Sequence, residues 1–164
     1  MPNLTDDQRL DWLQLIRTEN IGPVTFARLM SRFGSARAVI DALPQLAAKA
    51  GRKLPLKAAP RDAAKSEIDR AAAIGARLIA SCEADYPRPL AEIPDAPPLI
   101  YLRGYASVFS KPAVAIIGAR NASAIGRKMA RLLAEGLGAH GMSVVSGLAR
   151  GIDDQHQAPV VIDR

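Results

Sequence analysis

Residues 114–126 read Val-Ala-Ile-Ile-Gly-Ala-Arg-Asn-Ala-Ser-Ala-Ile-Gly, and their order of residue types decides the fold class. Val114 to Ile117 is a short apolar run that ends at Gly118. It is too short for a helix and lacks alternation, as expected of a parallel strand buried on both faces. Ser123 is then placed to cap a helix, along which Met129, Leu132, Leu133 and Leu137 recur at helical spacing, with Gly136, Gly138 and Gly141 near its end. A second strand, Ser143 to Val145, leads directly into Ser146-Gly147-Leu148-Ala149-Arg150-Gly151. Val114 to Asp153 is therefore strand, loop, helix, strand, loop.

Such a unit is of Rossmann type, and in an open parallel sheet ligands bind beyond the carboxyl ends of the strands, where both loops lie. The helix after the first loop presents unpaired N–H groups and roughly half a positive charge, which suits a phosphate. Gly118, Gly147 and Gly151 let the backbone approach closely and adopt positive φ. Arg120 and Arg150 each sit inside one loop and can fork two hydrogen bonds onto phosphate oxygens. A lone glycine loop would more simply be a tight turn with a solvated arginine. Two such loops at matched strand ends favour an anion.

Other chemistries fit less well. Arg120 occupies a position that a G-x-G-x-x-G dinucleotide loop keeps as glycine, and the order G-x-x-x-x-G-K-[ST] is missing. His140 and His156 have no carboxylate or cysteine at ligand spacing, so no metal site is expected. Ser146 has no histidine or lysine placed to activate it. The expectation is binding rather than catalysis, with no cofactor.

Working outward, 164 residues hold one ordinary domain or two small ones. Lys and Arg outnumber Asp and Glu by 22 to 16, and this excess favours a polyanionic partner. Cys82 is the single cysteine, which excludes an intrachain disulfide framework. It reads as a small buried hydrophobe. No basic segment and apolar run open the chain, and no apolar stretch approaches the ~20 residues that span a bilayer, so a cytoplasmic protein without membrane contact is expected.

The first half reads as a bundle of short helices. Thr5 and Gln8 form a capping box, and Leu10, Trp12, Leu13 and Ile16 give the first helix its apolar face. Pro23 starts a second helix, Phe26, Leu29, Met30 and Phe33 make its stripe, and Gly34 stops it. A third helix is expected from Ser35, burying Val39 and Ile40, and a fourth from Pro44 to Ala50. Residues 51–61, with Pro55 and Pro60 among Arg52, Lys53, Lys57 and Arg61, read as an exposed loop or boundary. A helix over Asp62 to Gly75 and a strand over Arg77 to Ala80 follow. The proline-rich segment from Asp85 to Gly104 should run extended, with Leu99 to Leu102 able to pair as a strand. The fold class is α/β: a small helical domain over residues 1–60, then a Rossmann-like parallel-sheet unit over 61–164.

These motifs resemble the DprA family, also called Smf. Its core motif, G-x-R-x-x-S-x-Y-G followed by an amphipathic helix and V-V-S-G-x-A-x-G-I-D, is matched by Gly118, Arg120, Ser123 and Gly126 and then by Val144 to Asp153. Upstream, Asp85-Tyr86-Pro87 with Leu90, and Pro97 to Gly104, resemble the family's Y-P-x-x-L and P-P-x-L-Y-x-x-G segments. The helical half resembles its sterile-alpha-motif-like or helix-hairpin-helix-like N-terminal domain. The resemblance implies a single-stranded-DNA-binding recombination mediator that protects incoming strands in natural transformation, loads a RecA-type recombinase and works as a homodimer. DNA phosphates would then lie at Gly118, Arg120, Ser123, Gly126, Ser146, Gly147, Arg150 and Gly151. Ile125 stands where the family has tyrosine, and the pattern stops after Asp153. The chain is thus expected to be a shortened form whose two recognisable parallel strands leave apolar surface exposed. Two rivals stand beside this: a nucleotide-binding or nucleoside-monophosphate-cleaving Rossmann enzyme that uses the same loops with Asp153 as its acid, and an inactive fragment, which the broken pattern after Asp153 suggests.

Overall fold

In the computed structural model, residues 3–49, 56–147 and 161–163 are described. They divide into two units, Met1–Arg103 with Ile162–Arg164, and Gly104–Val161.

The first unit begins with α1 (Asp6–Ile16). The capping box is present: the Gln8 amide donates to Thr5 Oγ1 at 3.2 Å and the Thr5 amide to Gln8 Oε1 at 2.9 Å. Pro23 opens α2 (Pro23–Phe33), and Gly34, at φ 77°, closes it by donating to the Met30 carbonyl. The expected third and fourth helices are one continuous α3 (Ala36–Lys49) with Pro44 inside. Ala36, Val39 and Leu43 form one fully buried stripe, and Pro44 falls on the exposed side. Burial of Leu43 outweighs the amide that Pro44 lacks.

Residues 56–60, expected to be exposed, are partly held against α1. Leu56 and Ala58 pack on the helical core, the Gln14 side-chain amide donates to the Ala59 carbonyl at 2.8 Å, and the Ala59 amide donates to Thr18 Oγ1 at 3.0 Å. Helix α4 (Arg61–Ala73) leads to β1 (Ala76–Ala80), which pairs antiparallel with β2 (Leu99–Arg103). Between them the proline-rich segment forms one helical turn, α5 (Arg88–Ala91), where proline is tolerated because first-turn amides have no acceptor. The Tyr86 hydroxyl fastens this connection by donating to the Pro97 carbonyl at 2.6 Å. Strand β5 (Val161–Asp163) completes the sheet order β1-β2-β5.

Two apolar clusters fill this unit. Leu15, Ile21, Phe26, Ala36, Val39 and Leu43 join the first three helices. Leu13, Ala64, Leu78, Ala80 and Leu99 join α1 and α4 to the sheet, with Cys82 packed partly buried beside them. Burial pushes the Cys82 thiol above its ordinary pKa, aided by the Glu83 carboxylate, as suits a packing role.

The second unit opens with a 3₁₀ turn (Ala106–Ser110) and continues through β3 (Ala113–Ala115), α6 (Ala124–Ala139) and β4 (Ser143–Val145). β3 and β4 are parallel neighbours, as expected, in the register Ala113↔Ser143 to Ala115↔Val145. β3 lies earlier than the expected Val114 to Ile117; one further bond, from the Ile116 amide to the Val145 carbonyl at 2.9 Å, ends the pairing.

With about 100° between successive residues, α6 has three faces. Ala130 is buried and Gly126, Ala134 and Leu137 are partly covered on one. Ile125, Met129, Leu132 and Leu133 form a second and are exposed, as are Ile117 and Val145, which meets the expectation of uncovered apolar surface. Arg127, Lys128 and Arg131 form the third. Gly141, at φ 77°, closes the helix by donating to the Gly138 carbonyl, and the Met142 amide donates to Leu137.

Candidate nucleic-acid interface

The parallel register fixes where the two loops begin. Val114 faces Val144 and Ala115 faces Val145, so residues 117 and 146 leave the sheet at the same carboxyl edge. Only parallel strands deliver consecutive loops to one edge in this way.

The first loop leads into the N-terminus of a 16-residue helix. Ser123 is its N-cap, as the sequence suggests: Ser123 Oγ accepts from the Gly126 amide at 3.1 Å, and the Ser123 carbonyl accepts from the Arg127 amide at 3.0 Å. The amides of Ala124 and Ile125 have no acceptor inside the helix. Arg127 turns back to the loop, its Nη1 donating to the Ala122 carbonyl at 2.5 Å. This bond ties the loop to the first turn of α6.

Gly118 and Arg120 lie exposed in the first loop; Gly126, in the first turn of α6, is partly covered. Arg120 forms no ion pair among the described residues. In the second loop Ser146 is partly covered and Gly147 exposed. Arg150, Gly151 and Asp153 lie outside the described residues. Positive φ, expected at Gly118, is found instead at Gly34, Gly75, Gly104 and Gly141, where helices or strands end. Gly118 is not among the positive-φ residues.

Beyond the two loops, α6 carries a basic face formed by Arg127, Lys128 and Arg131. Among the described residues, Ala124, Arg127, Lys128, Arg131 and Leu132 line a hollow of about 360 Å³ there. Its signal was the spacing of residues 127, 128 and 131, which places three cations within roughly 100° of the helix circumference. Over residues 104–147 the basic residues are Lys111, Arg120, Arg127, Lys128 and Arg131, and the acidic one is Glu135. The field around this unit is positive. Among the described residues there is no cluster of three or more metal-ligating side chains and no helix long and apolar enough to cross a membrane.

Residues 6–70 match the family model described as a DprA-like N-terminal HHH domain, and residues 77–160, just over half of the chain, match that of DNA recombination-mediator protein A. The chain is 40% identical over 79 residues to protein Smf of Synechocystis, a match that covers 45% of this chain and 20% of the relative. It is 41% identical over 68 residues to DNA processing protein DprA of Streptococcus pneumoniae, covering 42% of this chain and 24% of that one. The matches thus span about a fifth to a quarter of the curated relatives' length. The X-ray structure of DprA from Streptococcus pneumoniae superposes with a TM-score of 0.56 over 94% of this chain and 53% of that chain at 24% identity, a likeness of fold. The chain, with its helical first part and its parallel-stranded unit, belongs to the DNA recombination-mediator protein A family.

Proposed function

We propose that this chain grips the backbone of single-stranded DNA at the paired loops of its second unit, as part of a recombination mediator. The observation that carries the reading is the parallel pairing of β3 with β4, which starts both loops at one edge, the first of them leading into a capped helix N-terminus. Backbone phosphates would rest against the amides that follow Ser123 and along Gly118, Gly126, Ser146, Gly147 and Gly151. Arg120 and Arg150 would supply the charge. Phosphate contacts carry no sequence information, so binding would be sequence-independent and salt-sensitive. No aromatic residue occurs from position 110 onward, so the grip is electrostatic rather than by base stacking.

Family membership supports the wider role: loading of a RecA-type recombinase, with a homodimer as the working form and no catalytic step. The division at residues 60–61 into a helical domain and a core is proposed with it, supported by Pro55 and Pro60 beside a basic run. Fluorescence anisotropy with labelled oligo-dT tests the binding. Arg120→Ala should weaken it about tenfold or more, since a hydrogen bond to a charged group is worth roughly 1.5–3 kcal/mol. Equal binding by the two proteins would reject the loops as the site. A recombinase whose filament assembly on the same oligonucleotide is unchanged by this chain would reject the loading role. Release of free base from a nucleoside monophosphate would favour the enzymatic alternative.

A further inference from the structure

We infer that the bound strand does not stop at the two loops but continues along the basic side of α6, with Lys128 contacting a phosphate and Glu135 marking where the track ends. The inference rests on the binding proposed above and adds the path the strand takes.

Three observations converge. Arg127, Lys128 and Arg131 share one side of α6 and line the hollow of about 360 Å³ beside its first two turns. This side starts at Ser123, where the first loop enters the helix, so a chain of phosphates leaving the loop meets Arg127 and Lys128 next. From Ser123 to Arg131 the helix rises about 12 Å, room for several phosphates at roughly 3.4 Å spacing along a stacked strand. Second, the charge on this side is one-signed until Glu135, which stands one turn beyond Arg131. Third, the other exposed side of α6 carries Ile125, Met129 and Leu133, which offer nothing to a phosphate, while Leu132 stands at the edge of the hollow. The three faces leave a strand only one favourable direction.

Arg127 is bonded to the Ala122 carbonyl and Arg131 is engaged elsewhere in the molecule, so Lys128 is the cleanest probe. Lys128 is exposed, and alanine is the best helix former, so Lys128→Ala preserves α6. Glu135→Lys is the opposite change and extends the basic track by one turn.

The experiment measures the affinity of the full chain for labelled oligo-dT over a series of salt concentrations, for the unaltered protein, Arg120→Ala, Lys128→Ala and Glu135→Lys. Each phosphate contact adds about 0.7 to the slope of log K against log salt for a single strand. Lys128→Ala should lower the slope by about 0.7 and Glu135→Lys should raise it by about 0.7, a gain that damage to folding does not imitate. Unchanged slopes in both variants, with Arg120→Ala still weakening binding, would overturn the path and leave the loops as the site. If Arg120→Ala binds as the unaltered protein does, the loop reading fails and the path fails with it. Lys128-dependent binding to phosphatidylserine vesicles without a Lys128 effect on oligo-dT would assign the basic side to a lipid surface and overturn the inference.

Discussion

Glu83, only 8% exposed, gathers donors from distant parts of the chain. Its carboxylate accepts from the Leu4 amide at 3.2 Å, from the Ala80 amide at 2.9 Å, and from Arg9 in a close ion pair. A buried carboxylate is tolerated when its oxygens are filled in this way. Glu83→Ala would leave the Leu4 and Ala80 amides without this acceptor and the partly covered Arg9 guanidinium with only the exposed Asp6 carboxylate. We expect a loss of about 2–3 kcal/mol of unfolding free energy, read by urea unfolding followed with circular dichroism. A loss below about 0.5 kcal/mol, the range of ordinary surface substitutions, would contradict this account. Nothing in the spacing of Leu4, Arg9 and Glu83 announces the cluster. Contacts over 74 and 79 residues are set by tertiary packing.

At the scale of elements, Glu67 on α4 joins α1 to β2. Arg17, at the end of α1, donates to it from Nη2 at 2.7 Å and from Nε at 3.1 Å, and the Tyr101 hydroxyl of β2 donates at 2.9 Å. Partial burial alone would push the carboxyl up, but the bonds from Arg17 and Tyr101 together outweigh it and hold it below its ordinary value. The Tyr101 hydroxyl is pushed well up, by burial first and then by the same carboxylate. A carboxylate lowered on folding stabilises the protein above its unfolded value, near 4.5, and loses that effect as pH falls through the folded value. Glu67→Gln should therefore be less stable than the unaltered chain at pH 7, with the gap narrowing as pH falls below about 4.5. A gap that persists unchanged at pH 3 would exclude this linkage. Where an element is legible, its signal is local: Thr5 with Gln8, Gly34 and Ser123 fix helix ends by bonds within four residues, and Pro23 by its fixed φ at the first helical position. The continuity of α3 through Pro44 has the opposite cause, because Leu43 is buried by α3's partners and not by its neighbours in sequence. Met129, Leu132 and Leu133 predict an amphipathic helix correctly, yet they are exposed and the buried residue of α6 is Ala130. The paired loops could be read from glycine and arginine at two strand ends, whereas Lys128 looks like any helical surface lysine until its neighbours are placed.

For the whole molecule, the uneven distribution of core is the governing fact. Among the described residues every fully buried apolar side chain belongs to the first unit except Ala130. Local opening free energy follows buried apolar contact, so the second unit should open more readily. Native-state hydrogen exchange should show the amides of β3, α6 and β4 protected roughly tenfold or more below those of α1, β1 and β2. Equal protection would mean that the second unit draws support from contacts other than its own core. The first unit also holds Trp12, the chain's single tryptophan, which lies edge-on to Phe26 at 5.0 Å and packs against both apolar clusters. Its indole is a native optical probe of the joint between helices and sheet, emitting from one known place without any label. Strand capture at the loops, watched through a dye on the DNA, and loosening of that joint, watched through the indole, can thus be followed at separate wavelengths in one cuvette.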